Sequence, residues 1–288
     1  MRLSAPARGA AALAASLSAA ALLLAGCSGT APAAPALPDG VEVTLVQLRA
    51  DVAPRQAQVQ IVNGTDAALE VGAVRVDDAR LDGSAERVVP GDSRIAPGQT
   101  LDVRVQLPAV ACDVGDDGAA TVTLELAAGE VTVPVDDPLG FLPPLHAREC
   151  LADALAGVAD LELTTFTPAP AGQLGSVVLS VTPTGAAGSV HLGAVDSTPL
   201  LMYVPDAPAA PHPLDVDVTA ASAAADIVIP LVPQRCDPHV VQEDKRGTIF
   251  TIGVTVDGVA GEIDLAAPGE MKARMLTWVA DWCGFGSG

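Results

Sequence analysis

From Val41 onward, apolar and polar residues alternate with a period of two. Ala57, Val59 and Ile61 are interleaved with Gln56, Gln58 and Gln60; Leu101, Val103, Val105 and Leu107 with Asp102, Arg104 and Gln106; Phe250, Ile252, Val254 and Val256 with Thr251, Gly253 and Thr255. Each run predicts a strand with one buried and one wetted face. Turn residues fall between the runs, at Asn63-Gly64, Asp82-Gly83, Pro97-Gly98, Asp117-Gly118 and Asp257-Gly258. Short strands at this spacing predict an all-β chain of antiparallel β-sandwiches of the immunoglobulin-like kind.

The pattern also repeats once. Glu70–Val74 lines up with His191–Val195, Leu101–Val105 with Ala225–Ile229, Cys112 with Cys236, Gly129–Val133 with Gly261–Leu265, and Cys150 with Cys283. Constant order and slowly drifting offset point to a duplicated domain. We expect one sandwich over residues 41–160 and a second over 161–288, each closed by a short helical segment. The helix is clearest in the second copy, where Met271, Met275, Trp278 and Trp282 share one face. Its counterpart, Leu145 to Val158, reads as shorter and Ala-rich.

The first 26 residues differ in kind. Arg2 and Arg8 precede a run from Ala10 to Leu24 made of Ala and Leu with two serines, Ser16 and Ser18, and no acidic residue, the layout of a secretory signal peptide too short to span a bilayer. The run ends in Leu24-Ala25-Gly26-Cys27, which resembles the bacterial lipobox. That resemblance implies lipidation of Cys27, cleavage before it, and a protein lipid-anchored on the extracytoplasmic face of the cell membrane. Residues 27–40, Ala/Pro-rich after Cys27, read as a tether. Ala, Gly, Val and Asp dominate and Lys occurs only at 245 and 272, a usage that resembles that of a high-GC actinobacterium, and the segment Arg235–Gly247 resembles a stretch of uncharacterised actinobacterial cell-envelope lipoproteins.

Charge narrows the partners. The 15 basic and 35 acidic residues give a net charge of −20, which repels nucleic acid and anionic headgroups and leaves acyl chains as the means of membrane attachment. Half the residues are hydrophobic and 17% charged, enough to build cores. In an oxidising compartment the four remaining cysteines allow three pairings, and the repeat selects one, Cys112 with Cys150 and Cys236 with Cys283. The rival, a metal site at Cys236-Asp-Pro-His239, needs a free thiolate.

Candidate chemistry is sparse. Arg235–Gly247 is the densest polar stretch, and His239, Glu243, Asp244, Lys245 and Arg246 are the candidate binding residues of that loop. The spacing of His191 and Met202 resembles the opening of the His/Met motif of periplasmic copper chaperones, which makes the two weak metal candidates; the later His-x-Met pair of that motif is missing. Asp113–Gly118 invites a loose calcium reading, although Leu124 occupies the twelfth position where a calcium loop needs Glu. No nucleophile elbow, His-Glu-x-x-His or phosphate-cradling loop occurs in the sequence, so no catalytic residue, enzyme activity or cofactor is expected. The expectation is an extracytoplasmic module for protein interaction or envelope structure; the alternative is a solute- or metal-binding lipoprotein.

Overall fold

A computed structural model of the chain describes residues 35–115, 118–204, 210–242 and 246–285. The signal peptide, Cys27 and most of the tether lie outside them, as do Glu243, Asp244 and Lys245.

The first half contains β1 (Val41–Val46), α1 (Arg49–Val52), β2 (Gln56–Asn63), β3 (Leu69–Asp77), β4 (Ala85–Arg87), β5 (Ser93–Ile95), β6 (Thr100–Gln106), β7 (Thr121–Leu126), β8 (Gly129–Pro134) and α2 (Leu142–Val158). The ladder β1-β2-β6 forms one layer and β3-β7-β8 the other. The short β4 joins them by pairing Val76 with Ala85 on one side and Arg87 with Val105 on the other. Beyond β8 the chain returns to the first strand, where Leu45 N–H donates to the Asp136 carbonyl at 2.9 Å. Leu45, Val59, Ile61, Val76, Val105, Val122 and Leu124 fill the space between the layers.

The second half contains β9 (Ala159–Thr167), β10 (Gly175–Pro183), β11 (Ser189–Val195), β12 (Leu201–Met202), β13 (His212–Thr219), β14 (Ala225–Pro233), α3 (Pro238–Gln242), β15 (Ile249–Val256), β16 (Val259–Ala266) and α4 (Gly269–Trp282). Its two four-stranded antiparallel sheets run β12-β14-β10-β9 and β13-β11-β15-β16. The connectivity β1-β2-β6 with β3-β7-β8 recurs as β9-β10-β14 with β11-β15-β16, so the repeated segments fall on equivalent strands. The chain is a duplicated immunoglobulin-like sandwich, as its pattern predicts. Period two marks the inward faces, and Asp257 (φ 46°) and Gly258 (φ 87°) supply the two positive-φ positions of a tight hairpin between β15 and β16.

The helices depart from expectation in one respect. α2 has 17 residues against 14 in α4, so the first helical segment is the longer. It begins at Leu142-Pro143-Pro144, because proline in a first turn loses an N–H that has no helical acceptor anyway. Its burial is divided. Leu142 and Leu145 pack into the first core, whereas Leu151, Leu155 and Val158 pack into the second. Two glycines admit it: a Cβ at Gly261 would lie 2.5 Å from Leu151 Cδ2, and one at Gly188 would lie 2.5 Å from Val158 Cγ2. Val158 is followed without a gap by β9.

Candidate functional site

Buried polar groups collect where α2 closes the first sandwich. Asp78, just past β3, receives Arg80 Nε–H at 2.8 Å, Arg80 Nη2–H at 2.7 Å and the Arg80 backbone N–H at 2.9 Å. The side chains are 0% and 6% exposed. Burial alone pushes the Asp78 carboxyl up; the Arg80 hydrogen bonds and charge, with that of His146, outweigh it and hold the group below the usual carboxylate range. His146, buried on α2, donates to the Ala111 carbonyl at 2.9 Å, next to Cys112. Gly118 lies against the pair, since a Cβ there would come within 2.7 Å of both Arg80 Nε and Asp78 Oδ1. Asp113–Gly118 therefore ends beside the paired Asp78 and Arg80, whose charges offset each other; Asp116 and Asp117 lie outside the described residues. Cys112 is bonded to Cys150 of α2, and Glu149 pairs with Arg55. The cluster fastens helix, loop and sheet together, and its donors and acceptors are engaged with one another, with Asp78 at the edge of an open hollow that Asp77, Ser84 and Thr121 also line.

A second network lies on the outer face of the first sandwich. The turn α1 lays Asp51 over β2 and β6, where it accepts Gln58 Nε2–H at 2.7 Å and Leu48 N–H at 3.2 Å and approaches Arg104 Nε at 3.4 Å. Asp51 is 1% and Gln58 5% exposed, so α1 covers this part of the sheet.

Both copies break register at Gly-Ala in equivalent strands. In β3 the shift lies between Val71 and Val74, and in β11 between Leu192 and Val195. Opposite the first bulge, Glu125 accepts the Ala73 N–H at 3.1 Å and Arg87 donates to the Gly72 carbonyl at 2.7 Å. These residues line an open hollow with Arg75, Glu86 and Asp92. Gly253 holds the place of Glu125 in the second copy. Bulges often aim side chains at binding sites, yet this hollow is shallow and its charges are mixed.

The residues singled out from sequence are dispersed. His191 is exposed on β11 and meets Asp217 of β13, Nδ1 to Oδ1 2.8 Å; Met202 is on β12, in the other sheet. The structure gives His191 a carboxylate partner and brings it no contact with Met202. His239, exposed on α3, is held through its backbone N–H by Asp237 at 3.0 Å. Arg246 reaches Asp264 of β16 at 3.0 Å. Cys236 is bonded to Cys283 just beyond α4, so its sulfur is no ligand. Among the described residues no group of three His, Cys, Asp or Glu side chains is arranged to hold a metal. In the same sandwich, buried Thr198 donates to the Gly247 carbonyl at 2.7 Å and Tyr203 to the Asp196 carbonyl at 2.6 Å. Sequence reasoning passed over Asp51, Asp78 and Arg80, whose chemistry is intramolecular. His191→Ala and Arg246→Ala should each change stability by less than about 1 kcal/mol, because exposed pairs are screened. Thermal unfolding measures this, and a larger loss would show a hidden partner.

No family model and no curated protein matches this chain. Among solved structures it is similar at 8% identity to a red sea bream transglutaminase, over 81% of this chain and 32% of that one, with a TM-score of 0.24. It spans about a third of that enzyme's length. The YadV chaperone is 12% identical over 78% of this chain and all of the chaperone, TM-score 0.23. The calcium binding domain CBD12 of CALX1.1 is 12% identical over 76% and 79%, TM-score 0.22.

Proposed function

We propose that this protein is lipid-anchored through Cys27 on the extracytoplasmic face of the cell membrane, and that its modules, 41–160 and 161–288, act through contacts with other envelope proteins. The observation that carries the reading is α2, whose two halves are buried in different cores. A helix shared in this way fixes one sandwich on the other and gives a surface of defined geometry, which suits spacing and recognition. Where chemistry is concentrated, at Asp78, Arg80 and His146, the groups are engaged in holding α2 in place. No helix among the described residues is long and apolar enough to cross a membrane, so on this reading attachment falls to the acylated cysteine.

Cys27→Ser tests the anchor. The variant should leave the membrane fraction or accumulate with its leader uncleaved, as seen by fractionation and intact mass. A variant that remains membrane-bound with the leader removed overturns the reading.

A further inference from the structure

The two copies treat one face differently. On the outer face of the first sandwich, Gln58 of β2 stands beside Arg104 of β6; Asp51 of α1 covers Gln58 and approaches Arg104, whose side chain stays 60% exposed. The repeat places Val228 where Arg104 is, and strand pairing places Val178 of β10 where Gln58 is, directly opposite Val228. Between β9 and β10 only residues 168–174 intervene, and they form no helix. At these two positions the second face is therefore apolar where the first is polar, with Val178 half-buried where Gln58 is buried and no turn of helix laid over it. Val228 is 62% exposed, while its neighbours Ile229 and Leu231 are buried as strand alternation requires.

The surroundings specify what fits. One register step from the valines, Glu162 and Asp226 flank Ser180, and Ser180 donates to Asp226. β9, β10 and β14 carry no Lys or Arg. A second copy of a chain with net charge −20 brings like charge to this face. We propose that the Val178/Val228 face docks a short apolar segment of a cationic protein, seated as α1 is seated on the first sandwich, with its basic residues on Glu162 and Asp226. This names the partner class for the protein-contact reading and rests on it.

The test uses the full chain with Val178→Gln and Val228→Arg together, the residues the first copy carries at these positions, so the fold has a precedent for them. The probes are a short amphipathic Leu/Lys peptide and its Leu/Glu counterpart, followed by fluorescence anisotropy. The Leu/Lys peptide should bind saturably and the double variant should weaken it by about tenfold or more, the worth of one buried valine contact; the Leu/Glu peptide should not bind. If the double variant misfolds by circular dichroism, Val228→Thr should give a smaller loss in the same direction. Three results overturn the proposal: no saturable binding, equal binding of the acidic peptide, or affinity unchanged by the substitutions. Sedimentation showing a dimer abolished by Val228→Arg overturns it too, by making a second copy the occupant. Failure here with envelope crosslinks elsewhere on the chain would leave the protein-contact reading standing.

Discussion

Arg80→Met should destabilise the first sandwich by about 3–5 kcal/mol, because it leaves the Asp78 carboxylate buried without its guanidinium. Both side chains are nearly inaccessible, so water does not replace the lost hydrogen bonds. The double change Asp78→Asn with Arg80→Met should recover most of the loss, since removing both charges removes the desolvation cost as well. Urea unfolding of the wild type, single and double variants measures both effects. A single-variant loss under about 1 kcal/mol would show that the pair is screened as surface pairs are. The pH dependence has a definite sign. With its folded pKa below the usual value of 3.8, Asp78 adds stability that is complete above that value and fades as pH falls through the folded pKa. Arg80→Met should remove that part of the acid sensitivity.

The disulfides should be unequal in reach although similar in size. They close loops of 38 and 47 residues, for which chain entropy gives about 3–4 kcal/mol each. Cys236–Cys283 ties the segment after β14 to the end of α4, within one core. Replacing Cys236 and Cys283 by Ser should lower the unfolding midpoint of the second sandwich and leave the first nearly unchanged. Cys150 lies in α2 between Leu145, which serves the first core, and Leu151, which serves the second. Replacing Cys112 and Cys150 by Ser should loosen the helix at that handover and lower both midpoints. Hydrogen exchange resolved by segment reads the two cases separately. Protection lost only in residues 41–134 after the second replacement would refute the shared role of α2.

Much of the sandwich was legible because a half-buried strand writes its period into the sequence. β2, β6 and β15 follow their alternating runs, and the sequence repeat alone pairs β3 with β11 and β8 with β16. The cysteine pairing followed from the same repeat, and the structure contains both bonds. The start of α2 was hidden by Pro143 and Pro144, which read as breakers until a first turn is placed over them. Its divided burial left no signal, because a helix that packs on two cores has no single apolar stripe. The Asp78–Arg80 pair has a two-residue spacing that surface residues share, and only burial distinguishes it. Charge density marks the candidate loop in the sequence, but His239 is held by a backbone turn on Asp237 and Arg246 pairs with a neighbouring strand.

The arrangement of α2 also bears on how load passes through the molecule. From Leu145 to Leu151 is six residues of continuous helix, about 9 Å, and Ala159 enters β9 directly. A torque applied to the second sandwich thus reaches the first through a strut, with little slack to absorb it.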